Sequence, residues 1–129
     1  MDDIGDVGAL LKVMTSNIKN LDLNIQHVVV KEKPHGRSQK KQCYNNSWRY
    51  IQDNLKDKAQ YVLGYVFFRG LPIEHAWVRV GKQHYDVTLT PDENHIYYSV
   101  YEVPEEKLTA YVVAEGSAPD LYSLSKFKG

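Results

Sequence analysis

The 129 residues suit one domain and are too few for two; at 43% hydrophobic, 12% aromatic and 25% charged, the chain is too apolar for intrinsic disorder. Lys plus Arg (16) balances Asp plus Glu (16), so no bulk field draws it to nucleic acid or an anionic membrane, and charge-driven binding has to be local. The single cysteine, Cys43, excludes an internal disulfide and a cysteine-rich zinc site, leaving a thiol that is either inert packing or a nucleophile.

The opening Met1-Asp2-Asp3-Ile4-Gly5-Asp6 is acidic where a secretory signal carries Lys or Arg. No run reaches the roughly 18 apolar residues of a membrane span. A cytoplasmic location is therefore expected, where a lone thiol stays reduced. Val7, Leu10, Leu11, Met14, Ile18 and Leu21 recur at helical spacing and predict a helix over 4–20, with Asp2, Asp3 and Asp6 near its positive end. Residues 23–30 read as a short strand, and 31–41 as a basic loop with Pro34 and Gly36. Tyr44, Trp48, Ile51 and Leu55 form an apolar stripe on a helix over 43–57, which puts Cys43 at its start.

The second half is rich in Val, Tyr, Phe, Trp and Thr and is broken at Gly70-Leu71-Pro72, Gly81-Lys82 and 91–94. Strands are expected over 60–69, 74–80, 83–90 and 96–103. Pro104-Glu105-Glu106 suits a helix start, so 105–114 reads as a short helix, although Tyr111-Val112-Val113 reads equally as strand. From Gly116 onward the chain is expected to be a mobile tail. The fold class is α+β, with the Cys43 helix packed on an antiparallel sheet.

A two-residue turn at Gly81-Lys82 pairs Val80 with Gln83, Val78 with Tyr85 and Ala76 with Val87. Ala76, Val78, Val80, Tyr85, Val87 and Leu89 then share one face; His75, Trp77, Arg79, His84, Asp86 and Thr88 share the other. His75 lies diagonal to Asp86, close enough for an imidazole to meet a carboxylate. With Cys43 at a helix N-terminus the parts of a thiol hydrolase are present. Free N–H groups can hold an oxyanion, His75 takes the thiol proton, and Asp86 sets the imidazole tautomer.

Glu74-His75-Ala76-Trp77-Val78-Arg79-Val80 followed by His84-Tyr85-Asp86-Val87-Thr88 resembles the His-x-Trp strand and the aromatic-x-Asp-x-Thr strand of transglutaminase-like proteins, within the papain-like cysteine peptidase superfamily. The chain order Cys, His, Asp is also similar, and the resemblance spans about residues 40 to 90. It extends to small bacterial and phage proteins with a Cys-Tyr-x-x-Ser helix and a His-Ala-Trp strand. The resemblance implies Cys43 as nucleophile, His75 as base and acid, and Asp86 as orienter. Trp77 would shield the His-Asp bond from water. Where the papain pattern has a Gln six residues before the Cys, this chain has Arg37. Gln39 and Gln42 are the nearby substitutes for oxyanion support, beside the backbone N–H of Cys43.

The function expected is a cysteine hydrolase or acyltransferase on an amide or ester of a protein or peptide-like substrate, with no cofactor. The alternative is a catalytically silent module that docks to, or inhibits, a partner protein. His75, His84 and Asp86 are also metal-ligand types on one face, but two ligands at period two arise easily by chance, and no metal is expected. The basic loop of Lys31, Lys33, Arg37, Lys40 and Lys41 reads as solvated or, locally, as favouring an acidic or phosphorylated partner. A Tyr97, Tyr98 and Tyr101 face could stack bases, but without a nucleic-acid motif no such partner is expected.

Overall fold

The computed structural model describes residues 4–33, 39 and 41–128. They form α1 (Ile4–Met14), β1 (Gln26–Val28), β2 (Val30–Glu32), α2 (Cys43–Asp53), β3 (Gln60–Phe68), β4 (Leu71–Val80), β5 (Gln83–Asp86), β6 (His95–Val103), α3 (Glu105–Glu115) and α4 (Leu121–Lys126), with a 3-10 turn at Leu55–Asp57. The fold is α+β. No helix among the described residues is long and apolar enough to cross a membrane.

The six strands run in the order β1-β6-β3-β4-β5-β2. The expected strand over 23–30 is in fact two strands on opposite edges. β1 pairs antiparallel with β6, and β2 pairs parallel with β5, with only Val29 between them. Because one residue spans only about 3.5 Å, the sheet curls until its edges nearly meet. Val30, Val62, Val66, Trp77 and Tyr97 pack inside the curl. The other face packs Tyr61, Leu63, Ala76, Val78, Tyr98, Val100 and Val103 against Leu11 of α1, Tyr50 and Ile51 of α2, Leu108 and Tyr111 of α3, and Leu121 and Leu124 of α4. Tyr97 and Tyr98 are thus both buried, on opposite faces, and offer no stacking platform.

Several element ends differ from expectation for local reasons. α1 stops at Met14 because the Thr15 hydroxyl donates to the Leu11 carbonyl (2.7 Å), and Ser16 and Asn17 are weak helix formers that favour the turn. Asp2 and Asp3 lie outside the described residues. α2 stops at Asp53, where Asn54 Nδ2 donates to the Tyr50 carbonyl. β4 begins at Leu71 because the turn is Arg69–Gly70, both at positive φ, which pairs Phe68 with Leu71. The missing N–H of Pro72 then points away from β3, so no ladder bond is lost. β5 ends at Asp86 because Asp86 Oδ1 accepts from the Thr88 and Leu89 N–H groups (both 2.8 Å), turning the chain out of the sheet.

Among the described lysines of the basic segment, Lys31 and Lys41 are exposed and Lys33 is half-buried. Lys31 belongs to β2, and the Lys33 ammonium sits over the Tyr85 ring at 4.7 Å. Arg37 and Lys40 lie outside the described residues. The tail beyond Gly116, expected to be mobile, instead carries α4, with Leu121 and Leu124 in the core. Asp120 caps α4 by accepting from the Ser123 N–H (2.7 Å). Three more bonds fix the approach. The Ala118 N–H donates to Asn45 Oδ1, the Tyr61 hydroxyl to the Pro119 carbonyl, and the Leu121 N–H to Glu74 Oε2.

Candidate active site

His75 and Asp86 are on adjacent strands because the Gly81-Lys82 turn sets their register. Val78 pairs with Tyr85, Arg79 with His84 and Val80 with Gln83, as the turn chemistry predicts; the expected Ala76–Val87 pair falls beyond the end of β5. The face carrying His75, Trp77, His84 and Asp86 turns into the curl, and all four side chains are buried.

His75 Nε2 meets Asp86 Oδ2 at 2.7 Å. The same oxygen accepts from the Tyr97 hydroxyl at 2.6 Å, while Oδ1 takes the two N–H groups of the turn. A fully buried carboxylate therefore has four donors. Burial alone would raise the Asp86 pKa, but the bond and charge of His75 and the bonds from Tyr97 and Leu89 outweigh it and hold Asp86 below the usual value. Burial is also the largest single influence on His75 and opposes a charged ring. The hydrogen bonds to Asp86 and Cys43, with their charges, overcome it and raise His75 to about 9.

Cys43 is the first residue of α2, 9% exposed, and its thiol lies near enough to His75 to help raise the ring's pKa. Since Nε2 faces Asp86, Nδ1 is the ring nitrogen left for sulfur. Asn46, one turn along α2 and fully buried, ties the helix to both sides of the site. Its Nδ2 donates to the Gln39 carbonyl (2.6 Å) and to Thr88 Oγ1 (2.9 Å), and its Oδ1 accepts from the Gln39 N–H (2.8 Å). Thr88 is in turn bonded to Asp86 through its backbone, so the helix that carries sulfur and the turn that carries the carboxylate are linked by hydrogen bonds.

Gln39 and Gln42 have exposed side chains, and among the described residues neither side chain makes a hydrogen bond near the pair. Gln42 is the N-cap of α2 without a side-chain cap bond. The N–H groups of the first turn therefore take no bond from their cap. Trp77 lies beside His75, with ring centroids 6.2 Å apart, and its Nε1 donates to His84 Nδ1 at 2.9 Å. His84 is thereby held as an acceptor, with burial lowering its pKa. No group of three His, Cys, Asp or Glu side chains among the described residues is placed to hold a metal.

Gly64 makes room for this packing. It pairs with His75 on β3, next to a bulge against β6. A Cβ there would lie 2.1 Å from the Tyr98 carbonyl oxygen and 2.6 Å from the Trp77 ring. Tyr97, Asn46 and Gly64 are the site residues that sequence reasoning missed. Only Gly64 carried a signal, as a glycine inside an apolar strand. No protein family, curated protein or solved structure matches the chain.

Proposed function

We propose that the protein is a cysteine-dependent hydrolase or acyltransferase acting on an amide or ester bond of a protein or peptide-like substrate, with the papain-like and transglutaminase-like arrangement of Cys43, His75 and Asp86. The observation that carries this reading is the buried, hydrogen-bonded His75–Asp86 pair, whose carboxylate has every acceptor position answered, with Cys43 near the ring at the start of α2. A buried carboxylate with four donors holds the imidazole in one orientation and tautomer.

With its pKa raised to about 9, His75 already carries a proton at neutral pH, and the sulfur paired with it adds to the substrate carbonyl carbon as the thiolate. The oxyanion meets the open N–H groups at the start of α2. The tetrahedral species collapses by breaking the bond to the leaving amine or alcohol, which receives the proton from His75. The resulting thioester is opened by water or an amine, which returns a proton to His75 as the C–S bond breaks. Hydrolysis and amine transfer differ only in that second nucleophile.

The test is alkylation of Cys43 by iodoacetamide at pH 6 to 7. Faster reaction than free cysteine is expected, with the rate falling at least about tenfold in His75→Ala and less in Asp86→Asn, both shown to be folded by circular dichroism. A wild-type rate equal to free cysteine and unaffected by His75→Ala overturns the reading and leaves the docking module in its place.

A further inference from the structure

Asn46 has no solvent exposure, yet its side chain is a carboxamide, and every bond described for that group goes to the site's two flanks. Oδ1 takes the Gln39 N–H and Nδ2 donates to the Gln39 carbonyl, so the amide pairs with both backbone groups of one residue, as a facing strand residue would. Nδ2 also donates to Thr88 Oγ1. The reverse orientation of the amide would set its NH₂ against the Gln39 N–H, so one orientation alone satisfies all three bonds. Burying a carboxamide is unfavourable, and its hydrogen bonds offset most of that cost without greatly exceeding it. What the group adds is a defined geometry.

Gln39 stands at the entry of α2. Its carbonyl also accepts the Gln42 N–H (3.2 Å), and the Asn46 N–H closes on the Gln42 carbonyl (2.8 Å). Asn46 thus holds both ends of the turn that leads into Cys43, and within that turn Lys41 has φ 62°, a left-handed conformation that side chains disfavour. The turn leaves Gln42 at φ −120° and ψ 44° with no side-chain cap, so the N–H groups of Cys43, Tyr44 and Asn45 lie outside the helix ladder and take no bond from the cap. On its other flank the amide reaches Thr88, whose N–H is bonded to Asp86 Oδ1, and Asp86 faces His75. We propose that Asn46 is a positioning residue, which holds the open N–H groups at the start of α2 in register with the His75–Asp86 pair, so that the oxyanion formed during acyl transfer meets them. This rests on the hydrolase or acyltransferase reading and adds to it a residue that acts through Gln39 and Thr88 rather than on the substrate.

Two reagents separate positioning from folding. With iodoacetamide the thiolate displaces iodide at a tetrahedral carbon, and no oxyanion forms. With p-nitrophenyl acetate the thiolate adds to the carbonyl carbon, an oxyanion forms, and the C–O bond breaks to release p-nitrophenolate. An acetyl thioester is left on Cys43, read by mass with Cys43→Ala as the blank. Each rate is divided by that of free cysteine, and the acylation gain is compared with the alkylation gain. In the wild type the acylation gain should be at least about tenfold the larger, and Asn46→Ala should lose that excess. Thr88→Val, which keeps the side-chain shape without Oγ1, should cut the excess by about threefold or more, and Thr88→Ser should restore it to within about twofold. The Asn46→Ala, Thr88→Val double variant should be no worse than Asn46→Ala, because Thr88 acts through the amide. All are compared as folded proteins by circular dichroism, and if Asn46→Ala does not fold, the two Thr88 variants decide.

A folded Asn46→Ala that keeps the wild-type excess overturns the proposal whatever its Tm, since a merely structural amide would move stability and leave the two gains in proportion. A Thr88→Val excess equal to wild type, or one that Thr88→Ser fails to restore, also overturns it, as do losses that multiply in the double variant. Wild-type alkylation that depends on His75, with acylation no further enhanced, overturns this proposal alone. An iodoacetamide rate that ignores His75→Ala is the separate failure of the catalytic reading.

Discussion

The Tyr97 hydroxyl donates to the same Asp86 oxygen that faces His75 Nε2, at 2.6 Å and 2.7 Å. Two donors from two strands thus converge on one atom of a carboxylate with no solvent exposure. Burial and the Asp86 charge push the Tyr97 pKa up, so at any physiological pH the phenol is a donor and never a competing anion.

Tyr97→Phe removes one charge-assisted bond and leaves the ring volume in place. The expected cost is about 1.5–3 kcal/mol at neutral pH, read as a lowered Tm. Asp86 has a depressed pKa, so its contribution is present above its unfolded value near 3.9 and is lost as pH falls through the folded value. The Tm gap between wild type and Tyr97→Phe should therefore narrow in acid. A gap that stays constant through the whole acid limb of the wild-type stability curve would mean the hydroxyl is not acting on the carboxylate.

His75 makes the opposite pH prediction. Its pKa is raised to about 9, so the stability from its charged form is complete below the unfolded value near 6.5 and is lost as pH rises through about 9. Asp86→Asn removes the partner charge while burial and the influence of Cys43 remain, so the ring should titrate well below the wild-type midpoint. Imidazole NMR on both proteins reads the two midpoints directly. A wild-type midpoint near 6.5 would show that the Asp86 bond does not dominate the ring.

The hairpin was legible because its information is local. A glycine-first turn between two alternating runs sets the register, and the register places His75 beside Asp86. The closure of the sheet was not legible, since the partners of β1 and β2 are far away in sequence and a one-residue link through Val29 has no local signature. Tyr97 reads only as part of a strand face of tyrosines until that closure brings β6 against the Asp86 turn. The tail was misread for want of periodicity, although Asp120 three residues before Ser123 is a capping spacing that was there to be seen.

Gly64→Ala tests the packing behind His75. The added methyl would overlap the Tyr98 carbonyl oxygen, a backbone atom that can move only with β6, as well as the Trp77 ring. Destabilisation of about 3 kcal/mol or more is expected, with loss of the near-ultraviolet circular dichroism of Trp77. A variant with wild-type Tm and signal would show that β3 and β6 can part at no cost.

The segment after Gly116 offers two opposed expectations. Removal of a mobile tail would leave Tm unchanged. The structure instead places Leu121 in the core at 0% exposure and Leu124 at 2%, and takes the Leu121 N–H to Glu74 and the Tyr61 hydroxyl to Pro119. Glu74 is a half-buried carboxyl whose pKa burial raises, with the Leu121 bond pulling the other way, so loss of that N–H leaves it with less to stabilise its charge. Leu121→Ala alone should cost about 2–5 kcal/mol through the cavity it leaves. Ending the chain at Gly116 should cost more, because two leucines leave the core and the buried Tyr61 hydroxyl loses its acceptor; that exceeds the lower part of the 5–15 kcal/mol range typical of domain stability. Urea unfolding of the two variants should therefore show a lowered midpoint for Leu121→Ala and no cooperative transition for the truncated chain. A truncated protein that unfolds at the wild-type midpoint would detach α4 from the core and restore the expectation of a mobile tail.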